Sequence, residues 1–126
     1  MPAYKPEDCD LLLIEATHRG DLEAAVALYE PNASFVRADS GQVVIGRAAI
    51  REVFQSVLAL KPKYTMDVKA IASGDGDLAL TSTTWSVTGA EADGKPFADK
   101  GKSVEVVRRQ ADGTWLFVID NPRGGE

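Results

Sequence analysis

The chain has 126 residues, 44% hydrophobic and 26% charged, which suits one globular domain able to bury a core without a metal or disulfide staple. Its formal charge of −5, from 14 basic and 19 acidic side chains, speaks against a nucleic-acid face, which must neutralise phosphates. The single cysteine, Cys9, has no partner for an intrachain disulfide, no signal-peptide layout opens the sequence, and no apolar run approaches the roughly eighteen residues of a membrane span. The expectation is a cytoplasmic protein with neither nucleic acid nor membrane as partner.

No composition shift, linker or repeat divides the sequence, so residues 1–126 read as one domain. Pro6, with Glu7 and Asp8 behind it, reads as a helix first turn, where a missing N–H costs nothing and acids suit the dipole. Leu12, Leu13 and Ala16 continue that helix to His18-Arg19-Gly20. Asp21 caps a second helix whose stripe is Leu22, Ala25, Val26 and Tyr29, with Pro31 stopping it. A short strand over 33–37 turns at Asp39-Ser40-Gly41 into Val43-Val44-Ile45.

The third helix carries Ile50, Val53, Phe54, Val57 and Leu58 at i, i+3, i+4, i+7 and i+8, and Lys61-Pro62 ends it. Four runs rich in β-branched and aromatic residues follow, over 64–71, 78–88, 97–109 and 114–120. Gly74-Asp75-Gly76, Asp93-Gly94 and Asp112-Gly113 separate them and suit hairpin turns. Sequential hairpins make an antiparallel meander, and three amphipathic helices must bury their stripes on one face of it, so the class is α+β. Strands this long twist and bulge, and a curved sheet with helices across its inner face leaves a funnel fit for a ligand.

The order helix, helix, short strands, helix, four long strands resembles the NTF2-like superfamily. Gly20-Asp21-Leu22-Glu23-Ala24 with Leu28-Tyr29, Gly46-Arg47-Ala48-Ala49-Ile50-Arg51 with Phe54, and Arg108 to Trp115 resemble its local phrases, and Asp120-Asn121-Pro122 resembles the final-strand exit of the SnoaL-like, DUF4440-type branch. The resemblance implies a cone of three N-terminal helices packed on the concave face of a highly curved, mainly antiparallel sheet, and a homodimer through the outer sheet face. The superfamily spans isomerases, cyclases, dehydratases and non-catalytic binders, and fold alone does not choose among them.

Asp120 ends the apolar run 116–119. In cyclase members of the family a carboxylate near this position serves as acid/base, and burial would raise its pKa toward that task; the alternative is an Asx-type turn before Pro122. Glu105 is either a second pocket carboxyl beside Asp120 or an outward charge paired with Arg109. Trp85, in the run Thr81 to Ser86, suits an amphipathic ligand if the hydroxyls share its face, or is a core or interface tryptophan if they do not. Tyr29 and Tyr64 could donate a phenolic proton to an enolate, although Tyr29 also fits the helical core stripe.

Val53, Phe54 and Val57 would complete the wall. In the isomerase branch the base is a carboxylate on the first long strand; here that stretch offers Arg37, with Asp39 in the turn. Arg37 either attracts an anionic ligand group or is a surface charge. His18 reads as a helix-end cation. No metal-ligand spacing and no phosphate-binding glycine motif occurs, so no metal and no cofactor is expected. The expected protein binds a small hydrophobic or amphipathic molecule, as a cofactor-independent cyclase- or isomerase-like enzyme moving a proton α to a carbonyl or, alternatively, as a non-catalytic ligand-binding or dimerisation module.

Overall fold

The computed structural model describes residues 2–126. Its first helix, α1 (Asp8–Arg19), stops where Gly20 takes φ 68°, a left-handed conformation that glycine adopts without a Cβ penalty. The Asp21 N–H then closes onto Ala16 O at 2.9 Å. Asp21 also starts α2 (Leu22–Val26), its carboxylate accepting the Ala24 N–H at 3.1 Å.

This helix is shorter than its hydrophobic stripe implies. Tyr29 opens β1 (Tyr29–Val36) instead of closing α2. Pro31 explains the correction: it cannot donate into a helix and it pushes the preceding residue into extended backbone. The Phe117 N–H donates to Leu28 O at 2.8 Å and Tyr29 pairs with Phe117, so the segment joins the sheet. Tyr29 is fully buried, stacked on Phe117 at 4.8 Å and tilted against Phe54 at 5.9 Å.

Next come β2 (Val43–Ile45) and α3 (Arg47–Ala59), then the long strands β3 (Lys63–Ala72), β4 (Leu78–Ala90), β5 (Pro96–Arg109) and β6 (Trp115–Asn121). The sheet order is β2-β1-β6-β5-β4-β3. β3 to β6 form the antiparallel meander, while β1 and β6, the first and last strands of the main sheet, pair in parallel. Three helices thus pack against a curved, mostly antiparallel open sheet. α3 lays Ile50, Val53 and Phe54 into it, all buried.

Alternation along β4 sets the inner surface: Ala79, Thr81, Thr83, Trp85 and Val87 are buried, and the residues between them are exposed. Thr81 and Thr83 therefore share the indole's face. Among the described residues no helix is long and apolar enough to cross a membrane.

Candidate active site

Between the helices and the concave face lies a cavity of about 360 Å³. Its wall includes Leu13 and Thr17 of α1, Val53, Phe54 and Val57 of α3, Tyr64 of β3 and Trp85 of β4. Of the carboxyl groups that line it, three are buried, Asp10, Glu105 and Asp120, each no more than 6% exposed.

Asp120 reaches the cavity because β6 is irregular. Val106 pairs with Ile119 and Val107 with Phe117, so Val118 is an extra residue without a partner on β5. In a regular strand, residues three apart point to opposite faces; the bulge returns Asp120 to the side of Phe117, and both are buried. The Tyr29 hydroxyl donates to Asp120 Oδ2 at 2.5 Å, leaving Oδ1 for a ligand. Burial, and then the neighbouring Glu105 carboxyl, push Asp120 up to about 8 against the pull of that hydrogen bond.

Glu105 stands directly opposite Asp120 in the β5–β6 register and is 1% exposed. Thr81 Oγ1 donates to its Oε1 at 3.3 Å. Burial, and then the Asp10 carboxyl, push Glu105 up to about 10. The outward alternative, an ion pair with Arg109, does not occur: Arg109 lies at the exposed end of β5 and pairs with Asp77 at 2.6 Å.

Asp10 was not legible as a site residue, because an acid in a helix first turn looks like a complement to the dipole. Its phase held the signal. Asp10, Leu13 and Thr17 stand at i, i+3 and i+7, and all three are buried on the face that lines the cavity. Burial pushes Asp10 up to about 6, the Glu105 hydrogen bond opposing and the nearby Asp120 carboxyl adding to the rise.

Tyr64 lines the cavity, its phenol pushed up to about 12 chiefly by burial. Tyr29 does not line it. That ring lies behind Asp120 in the aromatic core, so its contact with the site is the hydrogen bond to Oδ2. Arg37 follows the end of β1 at the open side, where Asp39 pairs with it at 3.2 Å and matches its charge. His18, in the last turn of α1, accepts the Tyr64 N–H through Nε2 at 2.9 Å and so ties α1 to β3.

The Trp85 indole is fixed on three sides. Nε1–H donates to Pro122 O at 2.8 Å, the Arg123 guanidinium lies 5.5 Å from the ring centroid, and Gly101 stands opposite across the β4–β5 pair. A Cβ at Gly101 would come within 2.6 Å of Trp85 Cζ2. Gly101→Ala is therefore expected to push the indole inward and lower stability by about 1–3 kcal/mol. Denaturant unfolding with tryptophan fluorescence checks both effects, and an unshifted midpoint would contradict this packing.

The three carboxyls do not converge as ligands of one metal ion, and no other such group of three occurs among the described residues. A helix-closed, curved α+β sheet with an apolar cavity and acid groups on its inner strands defines a pocket protein of the NTF2-like fold. Residues 12–120 match the model of the SnoaL-like domain, and the chain belongs to that family.

Solved structures agree on the fold. An NTF2-like superfamily protein from Salmonella enterica superposes with a TM-score of 0.78 at 16% identity, covering 94% of this chain and 89% of that one. A ketosteroid isomerase-like protein from Erwinia carotovora gives 0.74 at 19% identity, covering 90% and 88%. A candidate dehydratase of the NTF2-like family from Streptomyces avermitilis gives 0.76 at 19% identity, covering 91% and 90%. Among curated proteins no match is found.

Proposed function

We propose that the protein is a cofactor-independent enzyme that moves a proton at the carbon α to a carbonyl of a small, largely apolar compound, as cyclases and isomerases do. The observation that carries this reading is Asp120, a carboxyl in an apolar cavity with one oxygen fixed by Tyr29 and its pKa raised to about 8. A group that binds and releases its proton near neutral pH suits transfer to and from an enol. Trp85 and Ser103 in the cavity wall offer an amphipathic ligand a ring and a hydroxyl. Fold neighbours that include a ketosteroid isomerase-like protein and a candidate dehydratase are in keeping with proton-transfer chemistry. The test is turnover of enones and β-keto esters by the wild type beside Asp120→Asn. Ligand binding without turnover would leave a non-catalytic binding module.

The same reading includes a homodimer through the convex face and, on the strength of one unpaired thiol, a cytoplasmic setting. Ile71, Leu80, Val106 and Ile119 pair in register across β3, β4, β5 and β6. Ile71, Leu80 and Ile119 are 72%, 47% and 43% exposed. A second copy laid on this row would cover an apolar stripe that otherwise meets water. Light scattering should find a dimer that Leu80→Glu converts to monomer; a monomeric wild type would refute the assembly.

A further inference from the structure

Two buried oxygens in the cavity wall, Asp10 Oδ2 and Glu105 Oε2, have no hydrogen-bond partner. Asp10 is 3% and Glu105 1% exposed, both line the cavity, and the two groups lie within hydrogen-bonding reach of each other. No ion pair among the described residues involves either of them or Asp120. Unpaired buried carboxylates are costly, and one proton held between two carboxyls satisfies both at once.

We propose that Asp10, kept ionised by a hydrogen bond that protonated Glu105 donates to it, is the base of the proton shift, and that Asp120 is the acid working opposite it. This rests on the reading of the site as a proton-shift enzyme. In the forward step Asp10 takes the α proton and the C–H electron pair becomes the C=C bond. The carbonyl π pair moves to oxygen, which takes the Asp120 proton. In the second step the enol proton returns to Asp120 and Asp10 delivers its proton to carbon, so both carboxyls end as they began. Glu105 is a positioning residue. The substrate class follows: an uncharged, enolisable ketone or ester, since a ligand carboxylate would add a second anion beside the ionised Asp10, and the cavity-lining Arg37 and Arg123 are already paired with Asp39 and Asp99.

The titratable groups facing Asp10 are Glu105 from β5, Asp120 from β6, Tyr29 from β1 and Cys9 beside it on α1. With Asp10 near 6 and Asp120 near 8, kcat/KM should trace a bell between those values. Glu105→Gln retains a donor to Asp10 and should keep the acid limb in place, whereas Glu105→Ala removes it and should move that limb upward.

The test joins carbon-13 NMR titration of the side-chain carboxyls to turnover. The expected result is Asp10 as the first of the three to ionise, its titration moving up in Glu105→Ala, with kcat down about 100-fold or more in Asp10→Asn. Glu105 ionising before Asp10 would overturn the shared-proton arrangement even if Asp10→Asn does not fold. A wild type that turns over ketones while Asp10→Asn is undiminished would overturn only the assignment of the base. A wild type with no turnover of any ketone would overturn the functional reading and the base together.

Discussion

Asp120→Asn should fold, bind ligand within a few-fold of the wild type, and lose turnover by about 10²–10⁴-fold, the usual contribution of a positioned acid or base. The amide occupies the carboxyl's volume, so the bulge at Val118 and the aromatic packing behind it need not move. Its oxygen can still accept the Tyr29 hydroxyl. What the amide lacks is a proton it can release and recover at neutral pH. The loss should therefore appear in kcat, with KM nearly unchanged, as when an interaction used only in the transition state is removed. An equal loss in binding would point to a structural role for Asp120.

The fold should also be more stable in mild acid than in mild base. Asp10, Asp120 and Glu105 all hold their protons more tightly than ordinary carboxyls, to about 6, 8 and 10 respectively. Below about pH 3 all three are neutral in folded and unfolded chains alike, and no penalty arises. As pH rises, the unfolded chain releases protons that the fold retains. Stability then falls by roughly 1.4 kcal/mol per unit for each group until its folded value is passed. Exposed acids held low by their partners, such as Asp39 and Asp112, act in the opposite sense only in stronger acid, and solvent screens them.

Glu105→Gln isolates the effect. Glutamine can accept the Thr81 hydroxyl and donate to Asp10 without requiring a retained proton. It should raise stability at pH 8 by about 2 kcal/mol, roughly 8 °C in Tm, and the gain should nearly vanish at pH 5. A variant less stable than the wild type at pH 8 would mean that Glu105 is ionised in the fold. Such stability gained at a functional carboxyl is the pattern of a site whose chemistry is bought with strain on the native state.

Local rules made most of the architecture legible. The stripe from Ile50 to Leu58 identifies α3, Gly20 and Asp21 mark where one helix ends and the next begins, and the Asp-Gly pairs separate the long strands. Tyr29 misled because it falls at i+7 from Leu22; the proline two residues on was the better guide, since backbone constraint outweighs an apolar stripe. The parallel β1–β6 pairing is a long-range contact, and no turn residue encodes it.

The site was less legible than the fold. Asp120 could be singled out as a polar residue closing an apolar run, but its direction depends on a bulge, and a one-residue slip reverses every side chain beyond it. Glu105 had two readings until register placed it opposite Asp120. Asp10 was hidden by its company, since Asp8 and Asp10 both sit in the first turn of α1 and only the second is buried.

What we propose for this cavity is the movement of a proton at a carbon next to a carbonyl. The direct measurement is deuterium incorporation at the α carbon of a bound, uncharged ketone in heavy water, followed by NMR with the wild type and Asp120→Asn in parallel. Exchange should run well above the buffer rate in the wild type, be greatest near pH 7, and be lost in the variant. Exchange at the buffer rate in both proteins, or equally fast exchange in Asp120→Asn, would contradict the proposal.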